Sequence, residues 1–314
     1  MSWLEGIFSP GFNCPCSIRP RSAVATCRQS DCVSDVPLSM RGVRLSCRCH
    51  MNEFKGIYLS FEVYSIYNSF IPVVRMNTSI SRYRYIVWDF EGTLAVRRGR
   101  YTGALEAAAG MADPAFLGMA DNIRPFLSGA FPWHRAELAH AFAGDAEGWW
   151  RAILTAAEAA LMALGMDRGM AAEVAEHSRE IYLDPAGWEI DPQAMPVLAK
   201  LSAAGWHHVI LSNFAPELPL LVKSIGLSGY MDHVFSSGQI GLEKPSAVLF
   251  RHVAGVLAPH RACWMIGDNP HADIAGGRAA GLSTILLRPE GPGPGLSVAE
   301  LSAIPAIILE ENRP

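Results

Sequence analysis

The residues with the clearest capacity for chemistry lie in one stretch, Asp89-Phe90-Glu91-Gly92-Thr93-Leu94. Two carboxylates one residue apart repel each other unless a proton or a cation sits between them. Gly92 permits a sharp turn behind them, and Thr93 adds a hydroxyl and a backbone N–H. Such a set offers a nucleophile, an acid/base partner and part of a divalent-metal site. Polar groups recur downstream as Ser212-Asn213, as Lys244-Pro245, and as Gly267-Asp268-Asn269 followed by Asp273. Asp89, Asp268 and Asp273 make an oxygen-rich donor set without a Cys/His pair, which suits Mg²⁺ rather than zinc. Lys244 and the Ser212 hydroxyl supply donors for phosphoryl oxygens, the main catalytic device in phosphoryl transfer. Asp89 is then placed to attack phosphorus. Glu91 would protonate the leaving oxygen and later deprotonate a water.

Elements must deliver these groups to one place, and the apolar pattern says how. Tyr85–Trp88 has no polar alternation and reads as a buried strand of a parallel sheet. His208–Leu211 stops at Ser212, Val234-Phe235 leads into the loop carrying Lys244, and Cys263–Ile266 stops at Gly267-Asp268. Thr284–Leu287 reads as a further strand and Ala306–Leu309 as a last edge strand. Helices are expected over Asp191–Ala204, Pro219–Ile225, Ala247–Leu257 and Ile274–Ala280, three of them closed by Gly205, Gly226 and Gly281. Strands alternating with helices predict an α/β, doubly wound parallel sheet. Ligands bind outside the carboxyl ends of such strands, and all four polar sets sit there.

Residues 95–187 break the alternation. Ala, Leu, Met and Glu dominate, and helices are expected at Arg135–Phe142, Trp149–Leu164 and Met170–Tyr182. Ile153, Ala157, Ala160, Leu161 and Leu164 form one apolar stripe. A helical insertion just after the first strand is placed to cover the strand ends, exclude water and set specificity. Its segment Ile123–Arg135 carries two prolines and offers Trp133 and His134 as substrate contacts, whereas Trp149-Trp150 reads as helix core.

With 314 residues, half of them hydrophobic, the chain can bury a large core. Its net charge of −4 leaves no electrostatic footprint for nucleic acid or an anionic membrane. Gly56–Val74 is apolar but interrupted by Glu62, Asn68 and Pro72, which argues against a membrane span. No basic-then-apolar secretory signal opens the chain, so a cytoplasmic location is expected. Six of seven cysteines precede residue 50, and Cys14-x-Cys16 with Cys47-x-Cys49-His50 lacks the usual ligand spacing of a zinc site. Residues 1–80 show no sustained period and are expected to be a poorly ordered or non-native extension, with Met76 a natural start. The expected organisation is therefore a core of 81–94 plus 188–314, with 95–187 inserted. No pattern specifies an oligomeric state.

Asp89-x-Glu91-Gly92-Thr93-Leu94, Ser212-Asn213, Lys244-Pro245 and Gly267-Asp268-Asn269-x₃-Asp273 resemble the four signature motifs of the haloacid dehalogenase superfamily, in order and spacing. The likeness runs over roughly residues 83–290 and is similar to the subfamily with a helical cap after the first motif, the phosphoglycolate-phosphatase-like hydrolases. It implies a Rossmann-like core, Mg²⁺ and a small phosphate monoester as substrate. By the same resemblance Asp89 is nucleophile and metal ligand, and the backbone carbonyl of Glu91 reaches the metal. Asp268 completes the ligands with Asp273 nearby, and Lys244 and Ser212 hold the phosphoryl group.

The phosphatases of that family usually carry Asp where this chain has Glu91. One extra methylene moves the carboxyl, and an ångström of misplacement can cost about 10²-fold, so altered or slow turnover is expected. A 2-haloacid dehalogenase would use the same nucleophile on carbon and has no need of Glu91 or the Asp268/Asp273 pair. A phosphomutase would differ only in the fate of the phosphoryl group. A signalling receiver would lack the helical insertion. A degenerate, binding-only protein would explain Glu91 as lost catalysis.

Overall fold

The side chains of Tyr85-Ile86-Val87-Trp88 divide between two cores. Ile86 and Trp88 join one apolar cluster, and Tyr85 and Val87 join the other. A strand buried on both faces belongs inside a parallel sheet with helices on either side. The computed structural model describes residues 83–258, 261–291 and 295–311, with a few short strands before them. The chain divides into two units, Met1–Ile80 and Ser81–Pro314. The expectations for the first unit, its zinc option included, lie outside the described residues.

Among the described residues of the second unit, six strands form one sheet: β1 (Arg84–Trp88), β4 (Trp206–Ser212), β5 (Met231–Ser236), β6 (Arg261–Gly267), β7 (Ser283–Leu287) and β8 (Ser297–Val298). Their order is β5-β4-β1-β6-β7-β8 and every pairing is parallel. The chain winds outward from β1 through β4 to β5, then returns to the other side of β1 for β6. The sheet therefore reverses direction between β1 and β6, and a crevice opens at such a reversal. The doubly wound, Rossmann-like expectation holds.

Helices α4 (Ala194–Ala203) and α5 (Leu218–Ser224) bury Leu198, Leu201, Leu218 and Leu221 on the face of Ile86 and Trp88. Helix α6 (Ala247–Leu257) buries Leu249, Phe250, Val253 and Leu257 on the face of Tyr85 and Val87. The helix expected at Ile274–Ala280 instead starts as a π-helical turn at Pro270–Ala275, followed by the short α7 (Gly276–Ala279). Ala306–Leu309 is not an edge strand. It lies in helix α8 (Ile304–Glu311), because Ile304 and Ile308 repeat at i, i+4 and both are buried in the larger cluster. Ser297–Val298 takes the sheet edge.

The insertion hangs on an antiparallel ribbon, β2 (Ala95–Arg97) against β3 (Trp188–Ile190). Between them run α1 (Arg100–Ala112), α2 (Ala146–Ala163) and α3 (Arg168–Leu183). The expected stripe on α2 is realised at Ile153, Ala157, Ala160 and Leu161, and Trp149 and Trp150 are buried as read. The helix expected at Arg135–Phe142 does not form. A 3₁₀ turn at Pro132–Arg135 gives way to a loop that bonds to the core, His140 N–H to the Gly241 carbonyl at 2.8 Å and Gly144 N–H to the Gly238 carbonyl at 2.9 Å. Backbone groups satisfied in this way need no helical partner. Among the described residues no helix is long and apolar enough to cross a membrane.

Candidate active site

Asp89 follows β1 directly, and its N–H donates to the Ile266 carbonyl of β6 at 2.8 Å, which fixes it at the reversal point. Its carboxylate is buried but well served. Oδ1 accepts from Lys244 Nζ at 2.6 Å and from Ser212 Oγ at 2.9 Å, and Oδ2 accepts from Thr93 Oγ1 at 3.3 Å. The Lys244 ammonium also donates to Asp273 Oδ1 at 2.6 Å. Its placement is a property of the loop. Asn213 Oδ1 accepts from the Lys244 N–H at 2.7 Å, and Asn213 Nδ2 donates to the Lys244 carbonyl at 3.0 Å. Asn213 is thus a clamp on the lysine's backbone.

Asp268 and Asp273 come from the turn after β6. Asn269 caps that turn by accepting from His271 N–H and Ala272 N–H, both at 2.9 Å, and its own N–H donates to Asp273 Oδ2 at 3.0 Å. Asp89, Asp268 and Asp273 each offer an oxygen within 4.8 Å of the others. Two glycines make this possible. A Cβ at Gly92, which has φ +94°, would strike the Asp268 carboxylate, and one at Gly267 would strike that of Asp273. His271 is exposed.

Charge does not balance within this cluster. Three carboxylates face one ammonium, with the Arg100 guanidinium on the rim, 3.3 Å from Asp268 Oδ2. Burial pulls the Lys244 pKa down, but Asp273 and Asp89 overcome it and hold the ammonium charged. Burial pushes Asp273 up to about 7, Lys244 opposing and Asp89 reinforcing. Asp268 is also raised, by burial and then by Asp89. Carboxyls raised by one another's charge and by desolvation are a site with room for more positive charge, and an all-oxygen donor set fits a hard dication.

Glu91 stands apart from Lys244. Its Oε2 accepts from the Tyr182 hydroxyl at 2.9 Å, while Oε1 is buried without a partner. Burial pushes its carboxyl up to about 7, against the pull of Arg100 and the Tyr182 bond and with the push of Asp89 and Asp268. A carboxyl that titrates there can give and take a proton near neutral pH. Glu91 and Gly92 line a cavity of about 340 Å³ together with Val96, Arg97, Arg100 and Arg124.

The structure brings together Asp89, Thr93, Ser212, Asn213, Lys244, Asp268 and Asp273, with Glu91 at the cavity wall. It does not bring Trp133 and His134 to them. Trp133 stacks on Phe131 at 4.5 Å between ring centres and leans on Trp149, and His134 Nδ1 accepts from the Gly129 N–H. Reading the sequence missed Tyr182, Arg97, Arg100 and Arg288. Arg288 donates from Nη1 to the Gly92 carbonyl at 2.8 Å and pairs with Asp191. Arg100 and Arg288 share one signal visible only in the backbone: both have φ 53°, a strained value for a side-chain-bearing residue.

A family model described as haloacid dehalogenase-like hydrolase matches residues 83–281. A phosphoserine phosphatase of Thermus thermophilus is 32% identical over 142 residues, 41% of this chain and 57% of that protein. A ribulose-1,5-bisphosphate 5-phosphatase of Halopiger xanaduensis is 35% identical over 100 residues, 31% of this chain and 42% of that protein. The chain spans about half the length of these curated relatives. A magnesium-bound HAD-hydrolase, YfnB of Bacillus subtilis, shares the fold with a TM-score of 0.56 at 20% identity, over 73% of this chain and 99% of that one.

Proposed function

Because the chain belongs to the haloacid dehalogenase-like hydrolases, we propose that it is a Mg²⁺-dependent phosphatase acting on a small phosphate monoester through an aspartyl-phosphate at Asp89. The observation that carries this reading is the Lys244 ammonium, set 2.6 Å from both Asp89 and Asp273 with Ser212 on the same Asp89 oxygen. Asp89 Oδ2, held by the longer Thr93 bond, is the freer oxygen and attacks phosphorus. The ester oxygen leaves with the proton that Glu91 carries. Glu91 then takes a proton from water, which attacks phosphorus, releases phosphate and restores Asp89. Lys244 and Ser212 neutralise and orient the phosphoryl oxygens throughout. Asp89, Asp268 and Asp273 would hold the Mg²⁺, joined by the Glu91 backbone carbonyl, and the ion supplies the charge their mutual repulsion calls for.

A 2-haloacid dehalogenase has no use for this acidic cluster, so the shared fold does not favour that chemistry. The binding-only reading has one observation behind it, the engagement of Glu91 by Tyr182. Phosphate release from p-nitrophenyl phosphate by the full chain, with Mg²⁺ and with chelator, separates the two. The phosphatase reading expects release that needs Mg²⁺ and is abolished in Asp89→Asn. Release unaffected by that substitution, or no release at all, would overturn it.

A further inference from the structure

The turn after Asp89 is closed by its own backbone. The N–H groups of Thr93, Leu94 and Ala95 all donate to the Phe90 carbonyl, at 3.2, 3.0 and 3.1 Å, and the Gly92 N–H donates to the Ala95 carbonyl at 2.9 Å. The Gly92 carbonyl, in contrast, is held from outside, by Arg288 Nη1 at 2.8 Å. The same guanidinium pairs through Nη2 with the Asp191 carboxylate. Gly92 lies where the chain leaves the core for the insertion, and Asp191 where it comes back, directly after β3. The Asp191 N–H donates to the Leu94 carbonyl at 3.0 Å, so the two crossings are already paired. Arg288 grips both of them from a third element, the end of β7.

An arginine paired with an aspartate near the surface ordinarily contributes little. Two observations set this one apart. Arg288 has φ 53°, and a residue with a side chain stays in that region only where its surroundings fix it. Here its own N–H donates to the Val298 carbonyl at 2.8 Å, which ties it to the sheet edge. Its partner on the turn, moreover, belongs to a glycine with φ +94°, whose conformational freedom is wide. Glu91 is the residue just before that glycine. Tyr182 holds the far end of its side chain. With one more rotatable bond than an aspartate, Glu91 needs its backbone held as well, because an ångström of misplacement can cost about 10²-fold.

We propose that Arg288 is a positioning residue for Glu91: by gripping the Gly92 carbonyl and Asp191 together, it sets the backbone from which Glu91 delivers a proton to the leaving oxygen. The inference rests on the phosphatase reading and adds a residue that acts through the turn without touching substrate. The test compares phenyl phosphate with p-nitrophenyl phosphate, which differ by one nitro group far from phosphorus. Phenolate leaves poorly and needs the proton, whereas p-nitrophenolate leaves with far less help. The quantity is kcat/KM of the full chain with Mg²⁺, which reports transition-state stabilisation in the transfer to Asp89. The variant is Arg288→Asn, since asparagine tolerates left-handed backbone and removes the guanidinium without adding strain. Its loss on phenyl phosphate should exceed its loss on p-nitrophenyl phosphate by at least about tenfold, within what a positioned general acid contributes. Asp191→Asn keeps an acceptor for the Gln193 N–H, which Asp191 Oδ1 serves at 2.8 Å. It should move the ratio in the same sense and add little to Arg288→Asn. Equal losses on the two esters are what poor folding or a lost substrate contact would give, and would overturn the inference while leaving the phosphatase reading standing. So would an Asp191→Asn effect that adds in full. No release from either ester by the wild type would overturn both.

Discussion

The hydroxyl of Tyr182, on a helix of the insertion, donates a 2.9 Å hydrogen bond to Glu91, the acid two residues beyond Asp89 in the core. Tyr182 is buried, and its phenol pKa lies far above the usual value through desolvation and the Glu91 charge, so it remains a donor. The longer side chain at position 91 is thus steered by the insertion. In Tyr182→Phe, kcat should fall by about tenfold with KM little changed, the loss of one hydrogen bond to a charged group. Glu91→Asp should retain or raise phosphate release, because the shorter carboxyl withdraws from Tyr182 toward the phosphoryl group. The two changes should therefore couple: Tyr182→Phe added to Glu91→Asp should do little more. A full tenfold loss on adding Tyr182→Phe to Glu91→Asp, measured by steady-state kinetics, would mean that Tyr182 does not position Glu91.

Gly92 has two reasons to be glycine, a φ of +94° and the Asp268 carboxylate where a Cβ would stand. Gly92→Ala should displace Asp268 from Asp89 and Asp273, and so weaken the proposed metal set before it unfolds the chain. The expected outcome is a Mg²⁺ requirement raised by about tenfold or more, in line with the loss of a well-placed ligand-shell group. Phosphate release titrated against Mg²⁺ measures it, and an unchanged midpoint would remove Asp268 from the metal site.

How far the sequence could be read follows from which signals are local. Strands buried on both faces announce themselves as apolar runs, so β1, β4, β6 and β7 were legible, and with them the carboxylates that follow β1 and β6 and the Ser212-Asn213 pair at the end of β4. Ala247–Leu257 was legible in full because its stripe and its neighbouring turns agree. The loop at 136–145 was not, since its helical composition is overridden by backbone bonds to Gly238 and Gly241, contacts about a hundred residues away. The ribbon of β2 and β3 escaped for the same reason: each strand is three residues long and is defined by its partner. Tyr182 and Arg97 reach Glu91 and the cavity only through the tertiary fold. Trp133 was overread, because an aromatic on a proline-rich loop looks alike whether it packs or binds.

His208 makes a separate statement about stability. Trp88 Nε1 donates to its Nδ1 at 3.0 Å, so the proton lies on Nε2, which faces the Leu198 carbonyl and Ser202 Oγ at 3.2 and 3.1 Å. This neutral tautomer is satisfied at both nitrogens, and burial lowers its pKa to about 4. Between that value and the unfolded histidine's roughly 6.5, the unfolded chain binds the proton and the native one does not. Stability should therefore fall as pH drops through this window, by on the order of 3 kcal/mol at most. His208→Asn keeps an acceptor near Nδ1 and cannot titrate. Urea unfolding at about pH 7 and about pH 5 should show a smaller difference for the variant than for the wild type. An identical difference would assign the acid sensitivity elsewhere.

Lys244 holds two buried carboxylates at once, and removing it tests what that arrangement is worth. Lys244→Met should abolish phosphate release and destabilise the fold by about 3–5 kcal/mol, the usual result of leaving buried charges unpaired. The deficit should depend on pH with a definite sign. Asp273 already titrates at about 7 because burial raises it while Lys244 draws it down. Without Lys244 it rises further, so the native state holds a proton that the unfolded chain has released. A native state binding more protons loses stability as pH rises. The gap between wild type and Lys244→Met in urea unfolding should accordingly widen from about pH 6 to about pH 8. Mg²⁺ should narrow it, since a bound dication returns positive charge beside the carboxyls that Lys244 no longer pairs and displaces the proton. A gap that shrinks with rising pH, or that ignores Mg²⁺, would mean that the ammonium is not what holds the Asp273 pKa down.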